Sequence, residues 1–345
     1  MNFPINSSPH VLPITSVPII MRHVLYALIP STIVYVWYFG FGIFINMLIA
    51  SIAALISEAI MLRIRNRPIK PSLADGSAIV TAILIAFSIP PLAPWWLPVL
   101  GASSAIVLAK HLYGGIGANI FNPAMVGYAI LLLSFPVQMT HWIPPQIENL
   151  GFQNIDLWST VLYSVTGSLP SNLNLDAITQ ATPLDIVKGG LKNGISINEL
   201  RSGPLFSQLG GYGWEWINIF TAFGGVYLLY KGIIRWHIPV SLLTSITIFA
   251  ALFYLYDPNQ NLSPSFHLLS GATVLGAFFI ATDPVSAAAT NQGRLIYGAS
   301  IGALTYAIRT WGGYPDGLAF AVLLMNLMVP LIDRFTTPKI YGQQQ

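Results

Sequence analysis

Apolar windows of about membrane length follow one another along this chain, and one long polar stretch, residues 140–211, divides them into two sets of five. About twenty apolar residues span the hydrocarbon core of a bilayer. A helix is the form in which such a segment satisfies its own backbone. Candidate spans lie at 23–40, 42–62, 76–91, 95–112 and 121–139, then at 212–231, 236–256, 266–282, 296–311 and 317–332. Only 8% of the residues are charged, against about 25% in soluble domains. A chain of 345 residues with so little charge cannot cover a soluble surface. The expected fold is an all-α polytopic membrane protein with about ten transmembrane helices. The third and fourth spans are short and rich in proline and glycine, which predicts broken or re-entrant helices.

The basic residues set the expected orientation. Arg22, Arg63, Arg65, Arg67, Lys70, Lys110, Lys231, Arg235, Arg294, Arg334 and Lys339 share one side if both termini are cytoplasmic, as the positive-inside rule requires. Only Arg309 and the loop residues Lys188, Lys192 and Arg201 fall opposite. The division that follows is a cytoplasmic lead-in (1–21), a first five-helix half (22–139), an outer loop (140–211), a second half (212–332) and a cytoplasmic tail (333–345). Residues 1–20 hold prolines and no basic cluster before an apolar run, so no cleaved signal peptide is expected. The formal net charge of +3 is small and points to no nucleic-acid partner. The absence of cysteine excludes disulfides, thiolate zinc and protein-ligated iron–sulfur clusters on this chain.

An internal repeat is also visible. GSAIVTAILIAFSIP (76–90) is similar to GATVLGAFFIATDP (271–284), and NPAMVGYAILLLSFP (122–136) to PDGLAFAVLLMNLMVP (315–330). An odd number of spans per half predicts two inverted five-helix repeats, an arrangement that encloses a midplane site. Shared small-residue composition is the alternative explanation.

The polar stretch contains DAITQATPLD (176–185). Its pattern, Asp176-x-x-Thr179-Gln180-Ala181-Thr182, resembles the D-x-x-(S/T)-G-A-T signal read by periplasmic flavin transferases, which join the phosphate of FMN to the last threonine. The acceptor hydroxyl is expected on a flexible, exposed segment that a second enzyme can reach. Pro183 should keep Thr182 out of a helix. Gln180 stands where the signal has glycine, which bears on attachment if a positive φ is needed there. A literal SGAT occurs at 270–273, but His267 replaces the acidic residue and the tetrapeptide opens a membrane span. Thr273 is therefore the weaker candidate.

Beyond this signal, GGIGANIFNPAMVGYAILLLSFPVQMTHWIPP (114–145), LLSGATVLGAFFIATDPVSAAATNQGRLIYG (268–298) and GGYPDGLAFAVLLMNLMVPLIDRFTTPKIYG (312–342) carry a wider resemblance. The chain resembles the D subunits of bacterial Rnf (Rsx) ion-translocating electron-transport complexes. It is more distantly similar to the B subunits of sodium-pumping NADH:quinone oxidoreductases. The resemblance implies a multi-pass inner-membrane protein with FMN esterified to Thr182 in a periplasmic loop. It implies electron relay between flavin and iron–sulfur subunits, coupled to Na+ or H+ movement. The implied partners are the A, B, C, E and G subunits of such a complex and a flavin transferase, with the lipid bilayer as solvent. A second, noncovalent flavin such as riboflavin is also implied, without ligands that the motif places.

Other polar residues stand in or beside the spans. Glu58 is an intramembrane carboxylate and so a functional candidate, or else pairs with Arg63 or Arg65 at the interface. Asp75 and Asp283 lie near the third span of each half and are candidates for ion or flavin contact; helix termination alone also explains Asp283–Pro284. Asn122 before Pro123 reads as a helix cap that could also face a midplane site. His111 and His141 flank spans and are expected to be solvated. GGYGWEW (210–216) and WGGYPDG (311–317) read as interfacial aromatic belts. No phosphate-loop or dinucleotide fingerprint stands in its strand–helix context, and catalysis by this chain alone is not expected. The competing readings are a channel or carrier for a small solute, and a structural scaffold.

Overall fold

The computed structural model describes residues 16–146, 156–167 and 178–337. Among the described residues, five helices are long and apolar enough to cross a membrane: Val17–Phe39, Gly42–Ile64, Ile69–Ser88 counted through its break, His237–Tyr256 and Leu318–Thr336. The chain is thus an all-α, multi-pass membrane protein. Among the described residues the only extended pairing is two isolated bridges, Trp142–Gln180 and Phe206–Gly211.

In the first half, α1 (Val17–Phe39) and α2 (Gly42–Ile64) are continuous. A short helix, Ile69–Leu73, precedes α3 (Ser77–Ser88) across a break. The next helix, α4 (Trp96–Ser104), runs on as a π-helical segment, Ala105–His111. Asn122 caps α5 (Pro123–Ser134), its side chain accepting from the Met125 N–H at 3.2 Å. In the second half, α6 (Trp214–Tyr230) and α7 (His237–Tyr256) are continuous. A short helix, Pro264–Leu269, then precedes α8 (Thr273–Leu275, extended by π-helical Gly276–Ile280) across a second break. The chain closes with α9 (Asn291–Trp311) and α10 (Leu318–Thr336). The two breaks share one construction. Each turns through a left-handed glycine, Gly76 at φ 79° and Gly271 at φ 68°, a conformation that glycine alone adopts without steric cost.

The helices are inside-out relative to a soluble bundle. Along α2, Phe44, Leu48, Ile52, Ile56, Ile60 and Ile64 recur every fourth residue and are all exposed. Its buried face carries Asn46, Ala50, Ala53, Ala54, Ser57 and Glu58 instead. Large apolar groups toward lipid and small or polar groups toward neighbours is the pattern of membrane packing. The same logic joins α7 to α9. A Cβ on Gly298 would strike Ser241 Oγ, and one on Gly302 would lie 2.5 Å from the Leu242 carbonyl oxygen.

The polar stretch is helical in part and folds onto the bundle. Its described helices are Leu157–Thr166, Pro183–Lys192 and Ile197–Arg201. Leu184, Val187 and Ile197 form a small core with Leu262 and Phe266. The Gln180 N–H donates to the Trp142 carbonyl at 2.7 Å. Lys188 Nζ donates to the carbonyls of Ile308, Arg309 and Tyr314, so one ammonium seals the last turn of α9 against the loop helix. The segment expected to be flexible is thus anchored from Gln180 onward.

Candidate functional site

Thr182 is the N-cap of the helix Pro183–Lys192, with extended backbone at φ −65° and ψ 158°. As expected, Pro183 begins the helix and leaves the threonine outside it. The hydroxyl is held rather than free. Thr182 Oγ1 donates to Asp185 Oδ2 at 2.5 Å, and the Asp185 N–H donates back to Oγ1 at 3.3 Å. The Thr182 N–H reaches the same carboxylate oxygen at 3.3 Å. Burial, supported by the nearby Asp316 carboxylate, raises the Asp185 carboxyl above its ordinary value, against the hydrogen bonds from Thr182 and the charge of Lys188. Gln180 does not adopt a positive φ, so this backbone does not need the glycine of the signal there. Thr179 is half-buried. Asp176 lies outside the described residues.

Thr182 opens onto a cavity of about 320 Å³, within the range of small-molecule and cofactor sites. Tyr35, Phe87, Tyr128, Trp142, Trp214 and Tyr314 contribute aromatic walls. Trp214 packs edge-on against Trp142 and Tyr35, so it serves the cavity and not the interfacial belt assigned to GGYGWEW. The Tyr35 hydroxyl is buried without a hydrogen-bond partner among the described residues. A buried polar group lacking a partner is rare, and an aromatic-walled cavity with one spare donor suits a planar heteroaromatic ring.

The break before α8 forms part of this cavity. Asp316 accepts from the Ala272 N–H at 2.9 Å and pairs with Arg309 Nη2 at 3.2 Å. Arg309 also donates to the carbonyls of His267 and Ser270. A Cβ on Gly271 would meet Asp316 Oδ2 at 2.5 Å and Leu184 Cδ1 at 2.7 Å. The glycine of the literal SGAT is therefore required by the break. Thr273 is fully buried and donates to the His267 carbonyl at 2.7 Å, beyond the reach of a modifying enzyme. Arg309, the span-edge exception to the charge pattern, is buried as well. Its charge is answered by Asp316 within the fold.

A second cavity, of about 350 Å³, lies at the other end of α1. Val24 lines this one and Tyr35 the first; eleven residues of helix separate them by about 16 Å. The four span candidates converge here. Asn122 and Asp283 line the wall together with Ser77, Lys110 and Asn119. Glu58 and Asp75 reach it through intermediaries: Lys110 Nζ donates to Glu58 Oε1 at 2.5 Å and to Ser77 Oγ at 2.7 Å, and Ser77 Oγ donates to Asp75 Oδ1 at 2.5 Å. Glu58 thus pairs with Lys110, not with Arg63 or Arg65. His111 is buried, its Nε2 3.7 Å from Glu58 Oε1, so it is not the solvated flank residue expected. The Asp283 carboxylate accepts from Ser286 Oγ at 2.8 Å. Asn122 bridges to the second half through Asn326 Oδ1 at 3.1 Å and the Ile280 carbonyl.

Sequence reasoning missed Asp185, Asp316 and the pairing roles of Lys110 and Arg309. A signal existed for the cations, since each lies at the end of an apolar helix. Asp316 sits in a loop and carried no such mark, whereas Asp185 did carry one, since Thr182-Pro-Leu-Asp185 has the spacing of a capping box.

Proteins of similar sequence extend over the whole of this architecture. The chain is 50% identical over 352 aligned residues to the D subunit of the ion-translocating oxidoreductase complex of Aliivibrio salmonicida, covering the whole of both chains. It is 51% identical over 331 residues to the protein of that name from Aeromonas salmonicida, covering 94% of this chain and 95% of the relative. The Cronobacter sakazakii protein of that name is 49% identical over 350 residues, again across both whole chains. The model of the NQR2, RnfD, RnfE family matches residues 4–342, and the chain belongs to that family.

Proposed function

We propose that this chain is a membrane subunit of an ion-translocating oxidoreductase complex of the Rnf type, and that it carries FMN as a phosphoester on Thr182. One observation carries the flavin assignment: the threonine that ends the transferase-like signal opens onto an aromatic-walled cavity of cofactor size. Tyr35, Trp142, Trp214 and Tyr314 would enclose the ring system, and the first turn of Pro183–Lys192 would face the phosphate, as helix N-termini do. A bound flavin supplies two-electron acceptance with one-electron release, which suits a relay between redox subunits. The chain's own part is to tether, enclose and orient.

The cavity lined by Lys110 and Asp283, at about 350 Å³, has the size to take the second, noncovalent flavin. The orientation follows the basic residues: termini cytoplasmic, Thr182 on the outer side of a bacterial inner membrane, ten spans in two inverted repeats. Partners are the A, B, C, E and G subunits and, during maturation, a flavin transferase.

The test is a denaturing gel viewed under ultraviolet light, with the protein expressed beside a flavin transferase. A fluorescent band is expected for the wild type and for Thr273→Val, and none for Thr182→Val. Peptide mass analysis should place one FMN on Thr182. A wild-type peptide that stays bare, beside a control substrate that the transferase loads, overturns the assignment.

A further inference from the structure

The acceptor hydroxyl already has a base in contact with it. In a capping box the residue at the third helical position reaches back to the N-cap N–H. Asp185 makes that bond only at 3.3 Å, whereas the Thr182 hydroxyl bonds to the same Oδ2 at 2.5 Å. The carboxylate therefore favours the hydroxyl over the backbone group that a purely capping residue serves. Its own N–H, donating to Oγ1 at 3.3 Å, fixes the oxygen from a second direction and leaves a lone pair for a new bond.

We propose that Asp185 is the general base for attachment of flavin to Thr182, so that the modified chain supplies a catalytic group to its own modification. The inference rests on Thr182 being the flavin acceptor. An alcohol is a poor nucleophile until a positioned base draws off its proton, and the base must lie within hydrogen-bond reach. The co-reactant is a flavin dinucleotide held by the transferase. Thr182 Oγ1 forms a bond to the phosphorus on the riboflavin side, and the pyrophosphate P–O bond breaks. The nucleoside monophosphate leaves with that electron pair, and the hydroxyl proton passes to Asp185 Oδ2. No electrons are exchanged. The charged and titratable groups around Asp185 are Lys188 on its own helix, Asp316 before α10, and Tyr128 of α5, which lines the same cavity. Burial raises the Asp185 carboxyl, which strengthens it as a base.

The experiment uses the full chain, purified without flavin in detergent, with FAD, Mg2+ and a flavin transferase. The rate of FMN incorporation is followed by in-gel fluorescence. Asp185→Asn, which keeps a side-chain acceptor for the cap, should load about 100-fold more slowly or worse, the range of general-base catalysis. Asp185→Glu should retain a larger part of the rate. A protonated carboxyl cannot take up the hydroxyl proton, so the wild-type rate should fall as pH drops through the Asp185 value, and Asp185→Asn should lose that limb. Thermal unfolding reports whether the variants remain folded. Loading of Asp185→Asn at the wild-type rate overturns the proposal. So does a slow Asp185→Asn that keeps the wild-type pH limb, because the carboxylate would then act only on structure. A wild type that never loads sinks the Thr182 assignment itself, a separate outcome.

Discussion

Glu58 and Lys110 form an ion pair within the bundle, each about 2–4% exposed at the side chain. Glu58 Oε2 has no partner of its own among the described residues, so the carboxylate depends on Lys110 through its other oxygen. Removing one member of a buried pair leaves an uncompensated charge at a cost of about 3–5 kcal/mol, whereas removing both is often neutral. Lys110→Met should therefore lower stability by about that amount in detergent unfolding, and adding Glu58→Gln should restore most of it. A double variant as unstable as the single one would show that the charges are not coupled. Lys110 and Arg309 were legible in the sequence only as charges that mark sides. Their real partners, Glu58 and Asp316, lie 52 and 7 residues away, and no spacing rule selects the first of these.

The broken helices are the elements on which both cavities depend. Gly271 holds a left-handed turn where a Cβ would press on Asp316 and Leu184. Gly271→Ala should cost about 1–2 kcal/mol for the backbone alone. It should also displace Asp316 from the Ala272 N–H and slow flavin loading of Thr182. Gly189, in the loop helix, has open space around it. Gly189→Ala should leave loading intact and stabilise the helix by about 1 kcal/mol. Circular-dichroism melts and in-gel fluorescence on the two variants separate these effects. Loading that is equal in both would remove the break from the site. The break at Gly76 was partly readable from the proline and glycine of the third span, but the fourth span, also expected to break, runs on unbroken, and the break at Gly271 in the eighth span was not read. That α4 and α8 wind into π-helical segments was not readable, because π winding answers to local packing and has no residue signature of its own.

At the scale of the molecule, the two cavities sit at opposite ends of α1, and the proposed orientation puts them on opposite sides of the membrane. Reporter fusions test this directly. A fusion within residues 183–192 should be active only outside the cytoplasm, and one within 63–70 only inside it. The reverse pattern would place Thr182 where a periplasmic transferase cannot act.

The sequence by itself determined the class of solvent, the position of nearly every apolar helix and the extended, helix-capping backbone of Thr182 ahead of its proline. Those properties are local: they follow from runs of apolar side chains and from backbone chemistry within a few residues. The gathering of Glu58, Asp75, Asn122 and Asp283 about one cavity, the aromatic walls before Thr182 and the docking of the loop helix through Lys188 were decided only by tertiary structure. Each joins residues from separate helices or loops, and contact between them is set by how small residues let helices approach, a geometry that no single segment encodes.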